Sequence, residues 1–187
     1  MTRIIAGAAR GHRLRTPEGS VTRPTADRVR EALFSSLESE LGGWEDVRVL
    51  DLYAGSGAVG LEALSRGAAA ATLVEQDKRV LKVLRDNVRT LGLPGAEVVA
   101  GDVARIVAAP AKAAYDVVFA DPPYPVTSTA VDAVVAALAV HGWLASEAVV
   151  VVERATRSDP LQWSAPVSVV RTRAYGETTL WYGRADV

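Results

Sequence analysis

The chain has no cysteine, only two histidines and no long apolar run. Without cysteine there are no disulfides and no thiolate metal sites, which is in keeping with a reducing compartment. His12 and His141 lack the spacing of a metal-binding pair, so both are assigned to structure or solvent and no metal is expected. The opening MTRIIAGAARGHRLR holds no apolar run of signal-peptide length, and no later stretch reaches the length of a membrane span. A cytoplasmic protein without membrane contact is expected.

What is there is an ordinary globular composition. Nearly half of the 187 residues are hydrophobic and the formal net charge is −1, enough for one well-buried domain with a small appendage. The charge is uneven. Residues 1 to 30 carry seven arginines against Glu18 and Asp27, a net of +5, so the remainder sums to −6. Arginine's planar guanidinium suits phosphate contact and base stacking.

Along the chain, Ile4, Ile5 and Leu14 flank AGAARGH as a short hairpin with an arginine-bearing loop, too small to be stable alone. PEGSVTRP, residues 17 to 24, has the composition of a linker. Thr25 can cap a helix in which Val29, Leu33, Leu37 and Leu41 form one apolar stripe, leaving Arg28 and Arg30 off it to face a ligand or solvent, and Gly42 and Gly43 end it. From Val47 onward strands and helices alternate, which implies a mostly parallel α/β sheet covered on both faces. Strands are expected at 47–52, 71–75, 97–101, 115–120 and 148–153, with a C-terminal antiparallel hairpin around Tyr175-Gly176. The chain divides into a basic hairpin-and-helix extension over 1–43 and a cofactor-binding domain over 44–187. No apolar stripe is left unassigned, so a monomer is expected.

The organising stretch is VRVLDLYAGSGAVGL, residues 47 to 61: a buried strand, a turn through Gly55, Gly57 and Gly60, then a helix. Such a turn permits positive φ, exposes bare backbone to a ligand and lets helix and strand pack closely. Carboxylates stand at or just past four consecutive strand ends, Asp51, Glu75, Asp102 and Asp121, where open α/β sheets bind ligands. Glu75 lies 20 residues beyond Gly55, the separation at which an acid reaches a ribose hydroxyl. The glycine turn and Glu75 alone fit a nicotinamide dinucleotide as well as S-adenosylmethionine.

Asp121-Pro122-Pro123-Tyr124 decides between them. An exocyclic amine on a nucleobase is a poor nucleophile because its lone pair is delocalised into the ring. The Asp121 carboxylate and the Pro122 carbonyl can accept its two hydrogens and draw the nitrogen toward tetrahedral geometry. Prolines hold that carbonyl rigid and bring no opposing N–H, and Tyr124 offers a flat face to the base. Transfer to a sulfonium methyl needs neither a metal nor a covalent intermediate.

With both motifs placed, Val47 to Glu153 resembles the class I S-adenosylmethionine-dependent methyltransferases, in the branch whose D/N/S-PP-Y/F motif modifies exocyclic nitrogens. RIIAG near the start, TRPTADRVREALFSSL at 22–37, LDLYAGSGAVGLEALSRGA at 50–68, DPPY and the terminal YGETTLWYG extend the likeness over nearly the full length. Together they resemble the bacterial 16S ribosomal RNA guanine-N2 methyltransferase family, with its Rossmann-like fold. The resemblance implies that Asp51, Gly55 and Gly57 line the methionine and sulfonium part of the cofactor, that Glu75 holds the ribose, and that Asp102 and Val103 contact the adenine. It implies Asp121, Pro122 and Tyr124 around the target guanine, and Arg10, Arg13, Arg23 and Arg28 on the RNA of the 16S molecule or the assembling small subunit. The tip AARGHR carries no aromatic residue, which points to phosphate contact rather than stacking.

Three other readings remain open at this level: an adenine-N6 methyltransferase, since DPPY does not identify the base; a nicotinamide-dependent oxidoreductase, which leaves DPPY without a role; and a non-catalytic RNA-binding protein on a cofactor fold.

Overall fold

Runs such as Val149-Val150-Val151-Val152 are apolar at every position because the strand that holds them is buried on both faces. A computed structural model, which describes residues 2–17 and 24–186, shows a sheet with helices on each side. The strands are β1 (Thr2–Arg3), β2 (Arg13–Leu14), β3 (Arg48–Leu52), β4 (Ala70–Glu75), β5 (Ala96–Ala100), β6 (Tyr115–Ala120), β7 (Leu144–Ala155), β8 (Val167–Tyr175) and β9 (Thr178–Ala185). The helices are α1 (Pro24–Leu41), α2 (Ala58–Arg66), α3 (Lys78–Leu91), α4 (Val103–Val107) and α5 (Ser128–Val140). Most of the linker expected over 17–24 and the Thr25 side chain lie outside the described residues.

The main sheet runs β5-β4-β3-β6-β7-β9-β8. Its first five strands are parallel, and β9 and β8 add as an antiparallel hairpin. Strand order reverses between β3 and β6, which opens a crevice at their carboxyl ends. Alternate residues feed two cores. Val49, Leu73, Phe119 and Val151 pack with α1, α2 and α3, while Leu50, Val74, Val118 and Val150 pack with α4 and α5. Strand β7 starts at Leu144 rather than at Ala148. Tyr115 pairs with Leu144 but Val117 with Val149, and the extra residues are taken up where Glu147 adopts φ 61°.

The glycine turn behaves as its residues require. A Cβ on Gly57 would lie 2.5 Å from Leu84, and one on Gly60 2.8 Å from Leu73, so α2 packs more closely than any side chain allows. Gly57 also caps α2 at φ 83°.

The N-terminal hairpin is held by polar contacts to α2 and α3. Fully buried Glu62 accepts from the Ile5 and Ala6 N–H groups at 2.6 and 3.0 Å and from Arg66 Nε at 2.9 Å. Ser65 accepts from the Ala9 N–H, and Asn87 exchanges two hydrogen bonds with the Arg15 backbone. Ile4, Ala9 and Leu14 enter the same core as Val29, Leu33 and Leu37 of α1.

One expectation is corrected here. Arg30 is not free for a ligand: it is 7 % exposed, and its Nη2 donates to the Arg3 carbonyl at 2.5 Å and to Asp27 at 3.1 Å. Burial lowers its pKa, opposed by Asp27 and Glu62. Among the described residues no helix is long and apolar enough to cross a membrane.

Candidate active site

Val74, Leu52, Ala120 and Val152 stand side by side across β4, β3, β6 and β7. The next residue on each strand is Glu75, Tyr53, Asp121 and Glu153, and all four line one cleft of about 1060 Å³ at the carboxyl edge. Parallel strands run about 4.8 Å apart, so this register brings residues distant in sequence into one row. Pro122, Pro123 and Tyr124 continue the wall from β6. Asp77, Arg154 and the β8–β9 turn at Gly176, Glu177 and Thr178 complete much of the rest.

Glu75 is held firmly. Its Oε2 accepts from the Gly55 N–H at 3.0 Å, and its Oε1 from the Gln76 and Asp77 N–H groups at 2.8 and 2.9 Å. Oε2 retains a further lone pair for a hydroxyl donor. Space is open above Gly55, whose φ is 56° and whose hypothetical Cβ meets only the Tyr53 carbonyl, at 3.9 Å. An acceptor carboxylate beside bare backbone fits a ribose-bearing cofactor.

Asp121 and Glu153 form the other end of the row. Neither carboxyl takes a hydrogen bond from the described residues. Asp121 is open to the cleft, and partial desolvation by the protein around its carboxyl raises it to about 6, opposed by the Arg154 guanidinium. Burial raises Glu153 to about 8, and the Asp121 charge adds to the rise. Two neighbouring carboxyls thus hold a proton between them near neutrality, and they titrate as a pair. Arg154, 8 % exposed, stays close because its Nη2 donates to the Val126 carbonyl at 2.8 Å.

Pro122 is buried, and its carbonyl accepts no bond from the described residues. The Pro123 carbonyl accepts from the Val126 N–H at 2.9 Å, which closes the turn. Tyr124 is 76 % exposed at the rim, with its ring face available.

Four strand-end carboxylates were expected in one site, but only Glu75 and Asp121 line the cleft. Asp51 is 2 % exposed beneath the turn, where Oδ2 accepts from the Gly60 N–H at 2.8 Å. Burial lifts it to about 8, with Asp121 and Glu75 adding to the rise against that hydrogen bond. Asp102 is exposed and caps α4 through the Arg105 N–H, while the Val103 side chain is buried in the core. Arg10 and Arg13 are exposed on the hairpin and Arg28 on α1; Arg23 lies outside the described residues.

Sequence reasoning missed Tyr53, Glu153, Arg154 and Glu177. Glu153 had a signal, since it ends the fifth parallel strand and extends the series of strand-end acids. Tyr53 follows the organising strand and sits at φ 59°, a strained conformation for an aromatic residue. Glu177 belongs to the terminal YGETTLWYG and reaches the cleft only through the β8–β9 turn.

Comparison with known proteins agrees with this geometry. The family model described as Conserved hypothetical protein 95 matches residues 2–184. The Ribosomal RNA small subunit methyltransferase D of Escherichia coli strain K12 is 40% identical over 166 residues, 87% of this chain and 81% of that protein. Its namesake from Haemophilus influenzae is 38% identical over 154 residues, 81% of this chain and 77% of that one. The solved structure of yhhF from Escherichia coli superposes with a TM-score of 0.85 at 35% identity, covering 100% of this chain and 98% of the other. The chain therefore belongs to the bacterial small-subunit ribosomal RNA methyltransferase D family, on the Rossmann-like sheet of the class I methyltransferases.

Proposed function

We propose that this protein transfers a methyl group from S-adenosylmethionine to the exocyclic N2 of a guanine in 16S ribosomal RNA, in the cytoplasm and as a monomer. The observation that carries the proposal is the pair of unsatisfied acceptors, the Asp121 carboxylate and the Pro122 carbonyl, beside the exposed Tyr124 ring in a chain of this family.

Glu75 would accept from a ribose hydroxyl and Gly55 would present backbone to the methionine part, while Gly57, whose N–H and carbonyl are bonded to Ala54 and Leu61, shapes the turn from within. Asp51 acts from beneath by holding Gly60, and so positions the turn. Asp102 and Val103 stand at the adenine end, where Val103 can contribute only its backbone. The cofactor supplies an electrophilic methyl on a cationic sulfonium, suited to a cleft lined by Glu75, Asp77, Asp121, Glu153 and Glu177 against Arg154.

Tyr124 stacks the base. Asp121 and Pro122 take the two amine hydrogens, which localises the nitrogen lone pair and turns it toward the methyl group. Transfer would break the sulfonium S–CH3 bond, leaving a neutral thioether, as the N–CH3 bond forms; the methylated amine would be a strong acid, and its proton would pass to Asp121, ionised above about pH 6. Arg10, Arg13, Arg23 and Arg28 contact the RNA.

The test is transfer from labelled S-adenosylmethionine to free 16S RNA, to small subunits lacking the modification and to duplex DNA, with products digested to nucleosides. N2-methylguanosine from RNA or subunits supports the proposal. N6-methyladenine would keep the DPPY chemistry and overturn the base assignment.

A further inference from the structure

At Asp77 the acidic cleft meets a second groove, of about 1080 Å³, between the β2 end of the hairpin and α3. Its walls carry Arg13 and Arg15 on one side and Arg79 and Lys82 on the other. The acids in it are already engaged. Asp86 lies 3.8 Å from Arg15 and also pairs with Arg89. Asp77 accepts from the Arg79 and Val80 N–H groups at 2.7 and 3.0 Å, and those bonds lower its pKa. The side chains of Arg13, Arg79 and Lys82 are exposed, and none has an ion pair or hydrogen bond among the described residues.

The groove is one edge of a larger charged face. Helix α3 buries Leu81 and Leu84 and exposes Lys78, Arg79, Lys82, Arg85 and Arg89, five cations against Asp86. Lys78, Lys82, Arg85 and Arg89 follow helical spacing along one side, about one charge per 5.4 Å turn. Like charges one turn apart repel, so the helix is stabilised by a polyanion lying along it. The acidic cleft repels the same polyanion. A nucleotide chain can satisfy both by placing its base in the cleft while its phosphates stay over the cations.

We propose that this groove and the adjoining face of α3 carry the ribose-phosphate strand flanking the target base, with Arg79 and Lys82 each on a phosphate and Arg13 and Arg15 opposite. This rests on the RNA reading of the preceding section and assigns the path of the substrate. The strand passes Asp77 on leaving the cleft, and its contacts are independent of base identity.

The test compares the full-length protein with the double variant Arg79→Ala/Lys82→Ala and with Lys112→Ala, an exposed lysine in the loop before β6, at the opposite edge of the sheet. Binding to unmodified 16S RNA is titrated from ~50 to ~200 mM salt, alongside KM for RNA and affinity for S-adenosylmethionine. Losing two single-strand phosphate contacts should lower the slope of log K against log salt by about 1.4, so wild type loses about sevenfold more affinity than the double variant over that fourfold range. KM for RNA rises in the double variant, cofactor affinity and melting temperature stay at wild-type values, and Lys112→Ala leaves the slope unchanged. An unchanged slope, or a change matched by Lys112→Ala, overturns the groove. Binding is measured apart from transfer: wild-type protein that modifies no RNA, while the double variant still shows the reduced slope, would overturn the proposed function and leave the groove standing.

Discussion

The cleft and the groove share Asp77 and differ in nearly every other electrostatic respect. Five carboxylates and Arg154 line the cleft, and two of the carboxyls, Asp121 and Glu153, are pushed upward by the low-dielectric protein around them. The groove carries four cations whose neighbouring acids are committed to a helix end or an arginine. A cationic sulfonium and an amine that must shed a proton suit the first, and phosphates suit the second. A formal net charge of −1 therefore says little about partners, because the two signs are sorted into adjoining surfaces.

The contrast breaks most completely at Asp121. Asp121→Ala should lower kcat by about 10³-fold, within the range for losing a positioned acid–base group, while calorimetry gives near-normal affinity for S-adenosylmethionine. Failure to bind the cofactor would remove Asp121 from the acceptor role. In wild type, kcat/KM should rise with pH through about 6 as Asp121 ionises.

Next in size is the tether that holds the basic hairpin to the body. Glu62→Ala strands the Ile5 and Ala6 N–H groups and leaves Arg66 to Glu38 alone, and urea unfolding should show a loss of about 3 kcal/mol. A change within ~0.5 kcal/mol would mean that the apolar contacts of Ile4 and Leu14 suffice.

Smaller still is the effect of Arg10→Ala/Arg13→Ala, which should weaken RNA binding a few-fold and flatten its salt dependence. An unchanged salt titration would leave the hairpin out of the RNA surface and α3 as its main part.

The smallest effect sharpens the electrostatics of the cleft. Glu153 has a folded pKa raised to about 8, so its contribution to stability is fully present below its unfolded value near ~4.3 and is lost as pH rises through about 8. Glu153→Gln should match wild type in melting temperature at pH 5 and exceed it by a few degrees at pH 9. An equal gain at both pH values would trace the effect to packing instead.

Much of this was legible in the chain. Gly55, Gly57, Gly60 and Glu75 lie within one strand-turn-helix-strand unit, so their spacing carries the geometry, and DPPY is four consecutive residues at a strand end. The parallel strands, the terminal hairpin and the family follow from the same local patterns. Arg30 was misread because a position off the α1 stripe faces solvent only if nothing else docks there, and the hairpin does. Asp102 was grouped with the cleft acids, yet its carboxylate caps a helix. The cations of α3 went unremarked, since their charge cancels in a sum taken over residues 31–187.

The sequence by itself determined the alternation of elements, the glycine turn, the place of Asp121 and Pro122 at a strand end, and the methyltransferase family these motifs mark, because each depends on residues adjacent in the chain or one helix apart. Tertiary structure alone decided that Glu153 stands beside Asp121, that the turn at Glu177 closes the cleft, that Asp51 works from below, and that Arg13 faces Arg79 across a groove. Those arrangements depend on strand order, register and the docking of a hairpin, and such long-range pairings leave no periodic trace in the sequence.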